Sequence, residues 1–221
     1  FSTILDNLDG FYVEIDEAHE RADIVLKRPP FNIIQMPQRD QLRATFEALD
    51  ADDRIRVIVL RAEGEHFSSG GDIKEISLAC DFRIAAESTL YALPEQKLGQ
   101  IPGSGGSARL QKMVGITRTK DIVMRSRRIK GRQAYEWGVA TECVPDAELA
   151  SAVASLVDEL RSFSPMAQRT AKKMLNETDD CLLTTAIEIE GHCYSRLRNS
   201  EDFKEGVEAF HGKRQPKFVG R

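Results

Sequence analysis

Residues 56–75 read RVIVLRAEGEHFSSGGDIKE, and this stretch decides the fold. It opens with an apolar run at 56–60 that lacks the alternation of a half-buried strand, which favours a strand buried on both faces of a parallel sheet. A loop with two adjacent glycines, Gly70 and Gly71, follows and enters an apparent helix. The stretch therefore predicts one strand, loop and helix of an α/β fold.

The residues before this stretch indicate a hairpin and an amphipathic helix. Short segments at 12–15 and 23–26 contain β-branched residues and flank a polar stretch, which is typical of two antiparallel strands. Pro29 and Pro30 end the second strand. Over residues 38–51 the apolar positions lie three or four apart, so this segment is predicted to be a helix with a charged outer face.

The topology fails between Ile76 and Ser77. A second strand-like segment at 81–85 follows the glycine loop almost at once. Neighbouring parallel strands need a crossover connection of about a dozen residues or more. Either residues are absent at this point, or the architecture is not a parallel sheet.

Helices are predicted to become more frequent towards the C-terminus, and the last third of the chain is predicted to be mostly helical. A glycine-rich loop at 99–106 leads into a helix that begins near Ser107. Residues 147–163 and 165–175 are also predicted to be helices. The chain closes on a basic tail at 213–218.

Composition disfavours several classes of protein. The 221 residues, 41% apolar and 30% charged, suit one substantial α/β domain or one domain with an appendage. The formal net charge of -4 disfavours a protein that coats nucleic acid. The histidines have no metal-ligand spacing, and no apolar run approaches the roughly 20 residues of a membrane span. We therefore expect no metal site, no nucleic-acid partner and no membrane partner.

Two features carry chemistry. The Gly70 and Gly71 pair lets a ligand approach backbone N–H groups at a helix entrance, and such donors suit a developing oxyanion. Glu95 lies between Pro94 and the glycine-rich loop, at a sharp turn where a carboxylate can transfer protons. Taken alone each signal is weak, and a solvated surface glutamate is the simpler interpretation of Glu95.

The order and spacing of several motifs resemble the crotonase family, the enoyl-CoA hydratase/isomerase superfamily. The segment HFSSGGDIKE at 66–75 resembles the family's first oxyanion-hole loop. The segment PEQKLGQIPGSGG at 94–106 resembles a motif in the second half of the family's sequence. The further motifs are ACDFRIA at 79–85, YEWGVA at 135–140 and EGVEAFHGKR at 205–214. The resemblance therefore extends over essentially the whole chain.

This resemblance implies an α/β fold with a crotonase-like spiral of ββα units over residues 1–160. A helical C-terminal region at 161–221 would assemble a homotrimer or a dimer of trimers. The implied substrate is an acyl-CoA, with no cofactor beyond the coenzyme A that the substrate carries. We expect a cytoplasmic protein, although a first residue other than Met leaves open a removed organelle-targeting peptide.

The resemblance also assigns site residues. Gly71 would donate its N–H to the thioester oxygen, and Glu95 would transfer a proton. The residues implied to bind the substrate are Lys27, Gly71, Asp72, Ile73, Lys74, Gly103, Phe210 and Lys213. Phe210 and Lys213 would share one face if the last helix continues that far, and would reach the neighbouring subunit's site. The alternative is that Phe210 packs within its own subunit.

One part of the family pattern is absent. A second oxyanion amide and the first of two glutamates used by the hydratases would precede Ser77. We expect that on the order of 30 residues, one such unit, are missing between Ile76 and Ser77.

This absence bears on the reaction. Two carboxylates would add water across a conjugated double bond, so we expect a 2-enoyl-CoA hydratase. Glu95 alone would suit a Δ3,Δ2-enoyl-CoA isomerase. A CoA-thioester hydrolase, a decarboxylase and a non-catalytic paralogue that binds acyl-CoA or RNA are further alternatives.

Overall fold

The computed structural model describes residues 5–69 and 76–221. The chain divides into two compact units, Phe1–Val157 and Asp158–Arg221. This division falls close to the boundary that we expect after residue 160.

A three-stranded sheet forms the first part of the larger unit. Strands β1 (Phe11–Asp16) and β2 (Arg21–Leu26) pair antiparallel, which confirms the predicted hairpin. Asp16 caps the short turn between them by accepting a hydrogen bond from the His19 backbone N–H. Strand β3 (Val57–Ala62) pairs with β2 in parallel.

Helix α1 (Met36–Asp50) packs its apolar face against this sheet and confirms the predicted amphipathic helix. Its residues Leu42 and Leu49 are buried in one cluster with Ile24 of β2. Burial of one such leucine side chain contributes about 1.5–3 kcal/mol. The period of the apolar residues therefore fixes which side of α1 meets the sheet.

The prediction that residues 56–60 are buried on both faces is wrong. Every residue of β3 is only half-buried. Strand β3 lies at the end of the order β1-β2-β3, so its second edge has no ladder among the described residues. Its apolar run shows what the strand can bury, but burial also needs a neighbour on each side.

The remaining strands of the described chain form two short pairs. Strands β4 (Ile84–Ala86) and β7 (Glu142–Val144) pair in parallel. Strands β5 (Leu90–Tyr91) and β6 (Ile129–Lys130) pair antiparallel. Among the described residues, no backbone hydrogen bonds join β3 to β4 in one sheet.

The chain changes cores where the sequence topology fails. Ile76 packs against the cluster formed by the first sheet and α1, whereas Leu78 belongs to a second cluster with Ala85 and Leu93. Helices α2 (Gly106–Met124) and α3 (Gly131–Trp137) complete this second cluster. The beginning of α2 agrees with the start predicted near Ser107.

The smaller unit is helical. Helix α4 (Leu149–Ser162) leads into it, and the unit contains α5 (Pro165–Thr178), α6 (Leu183–Arg198) and α7 (Glu201–His211). Helices α4 and α5 confirm the helices predicted at 147–163 and 165–175. In the part of the chain that the structure describes, no helix is long and apolar enough to cross a membrane.

A buried carboxylate fastens the C-terminal tail to α7. Asp202 is 3% exposed and accepts hydrogen bonds from the Ser164 hydroxyl at 2.5 Å and from the Val219 backbone N–H at 2.7 Å. The Gly220 N–H donates to the same carboxylate at 3.1 Å. The tail is therefore a packed part of the helical unit.

Candidate active site

Glu95 occupies a turn that its surroundings hold firmly. It is the first residue of a 3-10 helix, Glu95–Leu98, and the buried Leu93 precedes it. Gly99 ends this helix in the left-handed conformation, with φ 71. The Gln100 backbone N–H donates to the Glu95 carbonyl oxygen at 3.0 Å. The pairing of β5 with β6 fixes the chain just upstream.

One oxygen of the Glu95 carboxyl group has no hydrogen-bond partner among the described residues. Oε2 is buried and accepts no hydrogen bond from the described part of the protein. A buried polar atom left unsatisfied costs about 1–3 kcal/mol, so such atoms are rare and call for an explanation. A carboxylate oxygen kept for a substrate or a water molecule supplies one. The solvated-surface interpretation of Glu95 does not fit this burial.

Ser107 has a second buried oxygen of this kind. Its Oγ also lacks a hydrogen-bond partner among the described residues. Ser107 lies in the first turn of α2, and the 3-10 helix of Glu95 packs against α2. The sequence marks Ser107 only as the start of a helix, because no local pattern distinguishes a satisfied hydroxyl from an unsatisfied one.

The glycine-rich loop between these two elements is tightly turned. Ser104 and Gly105 both have positive φ, at 49 and 82, and Gly105 caps the N-terminus of α2. The Arg109 guanidinium donates to the Ser104 carbonyl at 3.0 Å. Gly103 is exposed, and a Cβ there would meet no atom within 4 Å. The structure thus brings Glu95 and Gly103 into adjoining elements and leaves open space over Gly103.

Lys27 lies apart from them, at the end of β2 in the first sheet. Its ammonium group is 3.3 Å from Glu63 Oε2 and 5.5 Å from the centroid of the Tyr12 ring. The Tyr12 hydroxyl donates to Glu63 Oε1 at 2.7 Å, and this bond is the largest cause that lowers the pKa of Glu63. Lys27 is therefore ion-paired rather than unoccupied.

Four of the predicted site residues lie outside the described residues: Gly71, Asp72, Ile73 and Lys74. Their roles, including the oxyanion donor, stay predictions. The described chain reaches Ser69 on one side of them and resumes at Ile76. Within these described ranges, no group of three or more His, Cys, Asp or Glu side chains could hold a metal ion.

The two predicted residues of the C-terminal region differ from expectation in their backbone. Helix α7 ends at His211, and Lys213 has φ 50, so the helix does not continue to place Phe210 and Lys213 on one face. Gly212 follows the helix as its C-cap. The Phe210 side chain is 81% exposed, so the alternative that it packs within its own subunit is wrong.

Comparison with known proteins places the chain in a family. A family model described as enoyl-CoA hydratase/isomerase matches residues 18–78 and 75–221. The probable enoyl-CoA hydratase 2, mitochondrial, of Arabidopsis thaliana is 34% identical over 151 residues, covering 68% of this chain and 50% of that protein. This chain thus spans about half the length of that relative.

Two further comparisons cover more of both partners. An enoyl-CoA hydratase structure from Bacillus anthracis superposes with a TM-score of 0.89 at 25% identity, covering 96% of this chain and 100% of that one. The probable enoyl-CoA hydratase of Rhizobium meliloti (strain 1021) is 28% identical over 241 residues, covering 90% of this chain and 94% of that protein. The chain belongs to the enoyl-CoA hydratase/isomerase family and has the crotonase fold.

Proposed function

We propose that this protein is a 2-enoyl-CoA hydratase in which Glu95 transfers a proton. The observation that carries the proposal is the buried Glu95 Oε2 without a hydrogen-bond partner. An acid or base must reach the proton it transfers within hydrogen-bond distance. A carboxylate oxygen that no donor from residues 5–69 or 76–221 occupies satisfies this requirement once a substrate or water molecule arrives.

The proposed reaction adds water across the conjugated double bond of an enoyl thioester. A hydroxyl group is added to C3 and a proton to C2, so the atoms of one water molecule are consumed. The electron pair passes through a thioester enolate, whose oxygen would be stabilised by the Gly71 N–H. Glu95 would exchange a proton with the water molecule or with C2.

The binding of the coenzyme A portion is proposed to involve Lys27, Gly103, Phe210 and Lys213. A surface ion pair such as that of Lys27 with Glu63 contributes about 0–1 kcal/mol, so a phosphate group can compete for the ammonium ion at little cost. The exposed Phe210 ring offers an adenine a stacking surface. Assembly into a homotrimer or a dimer of trimers and a cytoplasmic location are part of the same proposal.

A second reaction, Δ3,Δ2-enoyl-CoA isomerisation, is favoured by one specific observation. The two segments that match the family model meet at residues 75–78, where the cores change and the sheet is interrupted. The alignment with the Rhizobium protein is longer than this chain, so that protein has residues without a counterpart here. The longer alignment supports residues missing from this chain, and the meeting point of the two matched segments supports a missing unit before Ser77.

If that unit is absent, this chain also lacks the first of the two glutamates that the resemblance assigns to hydratases. Glu95 alone could remove a proton from C2 of a 3-enoyl thioester and return one to C4. This transfer conserves atoms and needs no water. The choice between the two reactions therefore depends on whether this chain needs a second carboxylate.

Two substrates separate the reactions. Crotonyl-CoA loses the absorbance of its conjugated thioester on hydration, whereas 3-hexenoyl-CoA gains that absorbance on isomerisation. We expect turnover of crotonyl-CoA. Isomerisation without hydration would support the second candidate, and release of free CoA would indicate a hydrolase. Binding of both thioesters without turnover of either would contradict both proposed reactions and indicate a non-catalytic paralogue.

A further inference from the structure

One buried side chain joins two loops that are distant in sequence. Asn32 is 1% exposed and lies in the loop between β2 and α1. Its Nδ2 donates to the Glu63 carbonyl oxygen at 3.0 Å and to the His66 carbonyl oxygen at 2.7 Å. Its Oδ1 accepts from the Arg28 backbone N–H at 2.7 Å. Both ends of the carboxamide group are therefore engaged.

Three further contacts link the same two loops near Asn32. The Ser68 hydroxyl donates to the Asn32 carbonyl oxygen at 2.8 Å, and the Ser69 N–H donates to the Phe31 carbonyl oxygen at 2.9 Å. The rings of Phe31 and His66 stack with centroids 5.6 Å apart. We call this set of contacts between residues 28–32 and 63–69 the Asn32 clasp.

The clasp gives residues 63–69 a shape that they do not have from secondary structure. This segment leaves β3 at Ala62 and contains neither helix nor strand. Loop backbone groups that are not paired in a ladder bond to water or to side chains. Here the carbonyl groups of Glu63 and His66 bond to one side chain. Asn32 therefore links two points of this loop backbone.

The backbone of Asn32 itself is adapted to this position. Its φ is 49, in the left-handed region that asparagine adopts more readily than most residues. Its N–H donates to the Arg28 carbonyl oxygen at 2.8 Å, which closes the turn. Asn32 therefore combines a carboxamide group, with two donor hydrogens and an acceptor, with a backbone conformation that few residues adopt without strain.

We propose that Asn32 is a positioning residue for the reaction, acting through the chain that enters the Gly70 and Gly71 pair. This inference rests on the proposed function, in which Gly71 supplies an oxyanion donor. Ser69, which the clasp fixes, is the neighbour of Gly70 in the chain. Oxyanion donors work only when they are held within about 0.5 Å of the productive geometry. The clasp fixes the incoming end of that segment.

The test uses two substitutions that remove different parts of the clasp. Asn32→Gly removes the side chain but tolerates the positive φ. Asn32→Asp keeps the acceptor for Arg28 but replaces the donating Nδ2 with an oxygen that faces two carbonyl groups. The control is Thr45→Ala in α1. Thr45 is fully buried, and its hydroxyl bonds within its own helix, to the Gln41 carbonyl oxygen at 2.8 Å.

Four quantities are measured for each variant: kcat and KM with crotonyl-CoA, the urea midpoint, and amide hydrogen exchange of peptides covering 63–69. We expect both Asn32 variants to lose about 10- to 100-fold in kcat, with a smaller change in KM, because a 1 Å misplacement can cost that much. Exchange should be faster in 63–69. Thr45→Ala should shift the urea midpoint while kcat and the exchange of 63–69 stay as in the parent protein.

The outcomes separate the two proposals. Faster exchange with unchanged kcat in an active protein would overturn the positioning role, and so would a loss of kcat that Thr45→Ala matches at an equal urea midpoint. Unchanged exchange in both Asn32 variants would show that the clasp does not hold the loop. A parent protein that turns over no enoyl thioester would contradict the proposed function and the positioning role together.

Discussion

Glu205 and Arg214 form a bidentate ion pair between α7 and the tail that follows it. The Arg214 guanidinium donates to Glu205 Oε1 at 2.6 Å and to Oε2 at 2.8 Å. The Lys217 backbone N–H donates to the same carboxylate at 2.6 Å. The Arg214 hydrogen bonds, with help from the Lys217 N–H, lower the pKa of Glu205 from 4.5 to about 2.

The stability of the tail should therefore depend on pH. A carboxylate with a lowered pKa in the folded state stabilises that state fully above its unfolded pKa, and the contribution is lost as pH falls towards the folded pKa. The expected window runs from about 4.5 down to about 2. Urea unfolding across this window should show a smaller decline in stability for Glu205→Gln than for the parent protein.

The exposed Glu188 of α6 provides the control for this pH experiment. Glu188→Gln should follow the parent protein across the whole window. Identical pH dependence of Glu205→Gln and the parent protein would show that the pair does not contribute to stability.

Gly131 should be needed for the approach of α3 to β4. A Cβ at this position would clash with the Ala86 carbonyl oxygen, which belongs to the backbone and cannot move aside easily. Overpacking of this kind costs about 1–3 kcal/mol, so we expect Gly131→Ala to lower the free energy of unfolding by that amount. Urea denaturation measures it.

Gly191 in α6 is the matched control, because a Cβ there meets no atom within 4 Å. Gly191→Ala should be neutral or stabilising by about 0.5–1 kcal/mol, since alanine is the better helix former. Equal stability changes in the two variants would mean that the contact between Gly131 and Ala86 does not limit packing.

Phe210 should contribute to substrate binding and assembly rather than to folding. It is 81% exposed, so Phe210→Ala removes little buried surface from its own chain. We expect a raised KM for crotonyl-CoA, an unchanged kcat and a weaker oligomer by analytical ultracentrifugation. Leu175→Ala, at a residue of α5 that is 61% exposed, is the control for loss of an exposed apolar side chain.

A point substitution is preferable to truncation after Glu208. Such a truncation would remove Arg214 and the Val219 N–H, and with them the contacts to Glu205 and Asp202. It would therefore disturb folding and binding together. If KM and the oligomer are both unchanged in Phe210→Ala, the role proposed for this residue is wrong.

Local sequence patterns predict where the helices and strands of this fold lie, but they predict less well how deeply each element is buried. The hairpin and α1 follow from alternation and from a period of three to four, which depend on neighbours in the chain. The burial of β3 does not, because it depends on which elements of the fold pack over its faces and beside its second edge. The end of α7 could have been predicted from Gly212, since glycine commonly follows a helix C-terminus.

The residues of the candidate site also differ in how far the sequence reveals them. Glu95 is recognisable because Pro94 and a glycine-rich loop surround it in sequence. The role of Asn32 is not, because its donors reach Glu63 and His66, more than thirty positions away. Ser107 has no distinguishing neighbour either. A side chain whose partners come from a different loop is visible only in three dimensions.

The most direct measurement of the central claim is the turnover of Glu95→Gln. Glutamine keeps the shape of the side chain but cannot transfer a proton at neutral pH, so kcat with crotonyl-CoA should fall about 100-fold or more while binding persists. Glu148→Gln is the control, because Glu148 also lies in a 3-10 helix but is exposed. It should retain full activity. Near-normal kcat in a folded Glu95→Gln protein would contradict the account.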